Sequence, residues 1–153
     1  MAIDLNEPIV HAVQEMLADE LPAICADLDV PPPVAVEDFI PPVGLLLDFP
    51  TIGIGDGGTR FEDDEGFSAT GRHELLVVAY LSNQDQQGLA WDLRRYTQAI
   101  VRVLRSDLKL GGSAWGSGLV GSAPGPTLTD NPENPRQFTS WTGVRIWAKK
   151  DEE

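Results

Sequence analysis

After Glu74 the chain reads Leu75-Leu76-Val77-Val78-Ala79-Tyr80-Leu81, seven apolar residues without interruption. A strand with one wet face alternates apolar and polar residues, because successive side chains point to opposite sides. A run without alternation, from His73 to Ser82, predicts a central strand buried on both faces. Whatever else the chain does, it must build a sheet around this segment and cover both of its sides.

Two amphipathic helices can supply cover. In residues 8–28, Ile9, Val13, Met16, Leu17, Leu21, Ile24 and Leu28 recur at threes and fours, with Pro8 in the first turn and Asn6 as a possible cap. Pro22 removes an internal donor and is expected to kink or split this helix. A second helix is expected over about Gln86–Ser106, with Leu89, Leu93, Tyr96, Ile100 and Leu104 on one face. Short extended segments, Val34–Ile40 and Val43–Phe49, flank Pro41-Pro42 and read as edge positions. Near the end, Phe138, Ser140, Thr142, Val144, Ile146 and Ala148 alternate with Trp141, Gly143, Arg145 and Trp147. Both sets hold large apolar groups, so this strand must be covered on two sides or meet another subunit. These elements predict one α+β domain over residues 1–153: a mixed or antiparallel sheet of about four or five strands packed with two main helices. Residues 50–71, rich in Gly and acid, read as a long loop, and residues 149–153 as a frayed tail.

Charge narrows the function. The net charge is −13, and general nucleic-acid binding needs a surplus of Lys and Arg. The basic residues are concentrated: Arg94, Arg95, Arg102 and Arg105 fall opposite the apolar face of the second helix, with Lys109 just beyond. Asp56, Glu62, Asp63, Asp64 and Glu65 form an acidic cluster upstream. Opposed clusters on an acidic background suit packing against copies of the same chain. No stretch reaches the ~20 apolar residues of a membrane span. The acidic start, Met1-Ala2-Ile3-Asp4-Leu5-Asn6-Glu7, lacks the basic region of a secretory signal, so a cytoplasmic site of synthesis and assembly is expected.

Motifs for catalysis fail on context. Gly116-Ser117-Gly118-Leu119-Val120-Gly121 matches a dinucleotide fingerprint by letter, but Ser122-Ala123-Pro124-Gly125-Pro126 follows and cannot open a helix. The acidic segment lacks EF-hand spacing, although a divalent ion held there is the alternative reading. His11 and His73 stand apart in sequence, and Cys25 reads as a small buried hydrophobe. The expectation is a non-enzyme with no cofactor and no metal.

The order helix, strands, acidic segment, buried strand, helix and closing strands resembles the tail terminator family of long-tailed bacteriophages. The resemblance is carried by Ile9-Val10-His11-Ala12-Val13, Leu21-Pro22-Ala23-Ile24, Gly71-Arg72-His73-Glu74-Leu75-Leu76-Val77-Val78 and Tyr96-Thr97-Gln98-Ala99-Ile100-Val101-Arg102-Val103-Leu104. It implies a virion protein, assembled in the host cytoplasm, that forms a hexameric ring on the head-proximal end of the tail tube. Its partners would be its own copies, the tube protein and the head–tail connector or stopper, with DNA passing through unbound. The neck connector or stopper proteins are the neighbouring alternative. Interface residues under this reading are the four arginines, the five acids, Trp141 and Trp147.

Overall fold

The computed structural model describes residues 7–42, 48–64, 68–114 and 116–152, of which 57–64, 68–71 and 150–152 are described by backbone alone. Helix α1 spans Glu7–Asp27, strand β1 Ala35–Glu37, β2 Thr51–Asp64, β3 Ser68–Asn83, helix α2 Gln86–Ser106, β4 Gly116–Pro124, β5 Leu128–Thr129 and β6 Phe138–Glu152. The strands form one sheet in the order β1-β2-β3-β6-β4, with β5 also on β6. β1 joins β2 in parallel and every other pair is antiparallel. The fold is α+β, with a mixed sheet of six strands and two helices, slightly larger than the sequence suggested.

As expected from its apolar run, β3 is central, flanked by β2 and β6. Its alternate residues Leu75, Val77, Ala79 and Leu81 face the helices, with Ile52 and Ile54 of β2 and Val144, Ile146 and Ala148 of β6 beside them. Ile9, Val13, Leu17, Leu21 and Cys25 of α1, and Leu89, Tyr96, Ile100 and Val103 of α2, close this core. The helix ends are set by side chains. Asp85 caps α2, its carboxylate accepting from the Gln87 and Gly88 amides at 3.3 and 3.1 Å. At the other end Asp107 accepts from the Lys109 and Gly111 amides, and Gly111 and Gly112 take positive φ to turn the chain. Pro22 does not split α1: the helix is continuous. Buried Leu21 and Cys25 on either side hold it against α2, and Pro22 itself is exposed.

Four other expectations need correction or fall outside the described residues. Residues 50–71 are not a long loop, because 51–64 and 68–83 pair as an extended hairpin. The glycines there serve close packing. A Cβ at Gly53 would lie 2.7 Å from the Phe39 carbonyl oxygen, and one at Gly55 would meet the Ile40 side chain, so segment 39–41 lies flat on the strand. The tail is not frayed at 149–152, since Lys149, Lys150, Asp151 and Glu152 pair with Arg72, Gly71, Thr70 and Ala69. The expected strand at Val43–Phe49 falls largely on residues 43–47, outside the described residues, as does the Asn6 cap.

Buried groups between the two helices and on the opposite sheet face carry a pH dependence. Burial pushes the Cys25 thiol up, partly offset by its hydrogen bond to Tyr96. Burial, reinforced by Cys25, pushes the Tyr96 hydroxyl well up, and burial raises Tyr80. All three release protons at lower pH in the unfolded chain, so the unfolded state binds fewer protons and stability falls as pH rises. The decline is expected to begin above pH ~8.5 with the thiol and to steepen near pH ~10 with the tyrosines. Urea midpoints unchanged between about pH 8 and pH 11 would contradict it.

Candidate assembly surfaces

The outward face of α2 is the first surface. Trp91, Arg94, Gln98, Arg102 and Arg105 lie within about 80° of one another around the helix, over an axial span of about 21 Å. All five are exposed side chains that can act together: Arg94 stacks its guanidinium 4.9 Å from the centre of the Trp91 ring, and Trp91 stays 49% exposed. Stacked arginine and tryptophan are the residue types that dominate protein interfaces. Arg95 departs from the expected set. It is half-buried and its Nη1 donates to the Asp29 carbonyl at 3.5 Å, tying α2 to the end of α1.

The second surface is the sheet face turned away from the helices. Gly53, Val78, Gly143 and Ala123 lie across it on one rung, with Thr51, Tyr80 and Trp141 on another. Segment 39–41 covers the β2 side. The β4 side is a shallow groove of about 450 Å³ lined by Leu76, Val78, Val120, Trp141 and Arg145. Trp141 and Trp147, expected at an interface, are half-buried here by their own chain. Trp141 packs against Tyr80 with ring centroids 6.2 Å apart and covers Gly125. Trp147 lies under the Arg72 guanidinium, 5.5 Å from its ring centre, and covers Gly118, where a Cβ would meet its Nε1 at 2.6 Å. This accounts for Gly118 within the stretch Gly116–Gly121. The fingerprint letters lie in β4, where Gly118 leaves room for an indole and no helix opens.

The third surface is the far end of the hairpin. Ser117 Oγ donates to the Leu108 carbonyl at 2.8 Å, just beyond α2, and Ser117 shares a rung with Ala148 and His73. β3 continues five residues past that rung, to Ser68, or roughly 16 Å. The last three rungs hold Asp64 with Ser68, Asp63 with Ala69 and Glu152, and Glu62 with Thr70 and Asp151. Behind them come Phe61 with Gly71 and Lys150, then Arg60 with Arg72 and Lys149. The arm is thus banded, acidic at the tip and basic behind. Asp56 sits nearer the body and is exposed, and Glu65 lies outside the described residues.

The titratable groups considered for chemistry are dispersed. Cys25 is buried under Tyr96, His73 is buried in β3, and His11 pairs with Asp38 at 3.6 Å on the surface. Among the described residues, no three His, Cys, Asp or Glu side chains converge to hold a metal ion. No described helix is long and apolar enough to cross a membrane. A cleft of about 480 Å³ between α2 and the end of β4 presents Thr97, Thr142, Ser140 and Arg94. The Thr97 and Thr142 hydroxyls are hydrogen-bonded to each other at 2.6 Å, and Thr97 Oγ1 also donates to the Leu93 carbonyl at 2.9 Å.

Three contributors escaped sequence reasoning. Trp91 could have been found as an aromatic on the polar arc of an amphipathic helix. Asp151 and Glu152 join the acidic tip only through pairing with β3, which no local signal shows.

No protein-family model matches the chain, nor does any curated protein. A chain from a solved structure described as the virion of a native gene transfer agent (GTA) particle is similar at a TM-score of 0.46. It is 16% identical over 92% of this chain and 94% of that one.

Proposed function

We propose that the chain is a structural protein of a phage-like virion, a tail terminator that acts through assembly and catalyses no reaction. Copies join head to tail into a ring that ends the tail tube and offers its other side to the head connector. The observation that supports this best is the pairing of unlike surfaces on one chain: a basic, tryptophan-bearing helix face and an acidic arm that projects past that helix. Two different surfaces that complement each other make a heterologous contact, and such contacts close into rings when the rotation permits. A self-complementary patch would give a two-fold dimer instead. With a net charge of −13 per copy, the ring would repel phosphate and let DNA pass without gripping it.

Native mass spectrometry and negative-stain imaging test this reading, on the purified chain alone and together with its tube protein. The expected result is a closed ring, of six copies by the family resemblance, seen alone or capping the tube. A chain that stays monomeric under both conditions removes the proposal.

A further inference from the structure

Resting on the ring reading, we infer that the contact between neighbouring copies seats the acidic arm tip of one chain on the outward face of α2 of the next. The tip is the set of rungs holding Glu62, Asp63, Asp64, Asp151 and Glu152, and it carries no basic residue. The receiving face carries Trp91, Arg94, Arg102 and Arg105.

The two surfaces cannot meet within one chain. The buried side of α2 packs on β3 and β6, so its outward face is turned away from the sheet that bears the tip. The arm continues along the sheet past the end of α2 and carries the tip farther off. The basic band at Arg60, Arg72, Lys149 and Lys150 stands between the tip and the body of its own chain. A second copy satisfies both surfaces. Three strands at the usual spacing make a tip roughly 10 Å wide and about 7 Å deep over three rungs. That footprint fits on the roughly 21 Å stripe of α2. Trp91, flattened under Arg94, offers an apolar anchor at one end, while Arg102 and Arg105 offer charge at the other. Desolvation and networking would strengthen charge pairs that contribute little when singly exposed.

A charge swap tests the contact. One variant carries Arg102→Glu with Arg105→Glu, the second Asp63→Lys with Glu152→Lys, and the third all four changes. Circular dichroism establishes that each is folded. Self-association is measured by sedimentation, with and without the tube protein. Each double reversal should weaken association by about tenfold or more, and the four-fold variant should recover most of it. If the wild type associates and the reversals change nothing, or the four-fold variant stays as weak as its parents, this contact is wrong while the ring stands. A wild type that never associates overturns both.

Discussion

Truncating Tyr96 to alanine is expected to cost about 3–5 kcal/mol, enough to unfold much of the population of a marginally stable domain. Tyr96 is fully buried in the middle of α2, where α1, α2 and the chain leaving α1 converge. Its hydroxyl donates to the Pro31 carbonyl and is hydrogen-bonded to Cys25 of α1. The ring fills the space between the helices, and the hydroxyl ties down the turn that carries the chain towards β1. Tyr96→Phe separates these contributions. It keeps the ring and strands a buried carbonyl, so about 1–3 kcal/mol should be lost. Equilibrium urea denaturation of both variants checks the order. A phenylalanine variant as damaged as the alanine one would show that the hydrogen bonds, and not the ring, dominate.

The parts of the fold that were legible in the sequence share one property: their local pattern and tertiary role agree. α2 begins and ends where it was expected because Asp85 caps it and its apolar residues recur on one face. β6 alternates as its sequence alternates, with Ser140, Thr142, Val144 and Ile146 towards the helices and Trp141 and Trp147 on the other side. β2 was not legible. Its Gly53 and Gly55 look like loop residues, yet a Cβ at Gly53 would collide with the backbone of segment 39–41 and one at Gly55 with the Ile40 side chain. Lys149–Glu152 have no strand-like composition and are held by β3 continuing alongside. The candidate interface was half legible for the same reason. Arg94, Arg102 and Arg105 share an arc that helical periodicity reveals. Arg95 falls at its edge and is diverted to Asp29, and the acidic tip is assembled from two strands nearly ninety residues apart.

The tryptophan–glycine pairs on the open sheet face give the second large effect. Gly125→Val is expected to destabilise the fold by about 1–3 kcal/mol or more. A Cβ at Gly125 would fall within the Trp141 indole, so something must shift. The backbone cannot retreat, because the Gly125 amide donates to the Trp141 carbonyl at 2.7 Å and the Gly125 carbonyl accepts from Ser140 Oγ at 3.1 Å. The indole must therefore leave, giving up its place beside Tyr80 and exposing apolar surface next to the groove at Leu76 and Val78. Tryptophan emission should move to longer wavelength in the variant. The cause is isolated by repeating the substitution in a Trp141→Ala background. With the indole already gone, the added side chain has room, and most of its cost should vanish, giving a coupling of about 1–3 kcal/mol between neighbouring sites. Additive losses would mean that valine disturbs the Pro124–Pro126 turn itself and that the indole has space to move.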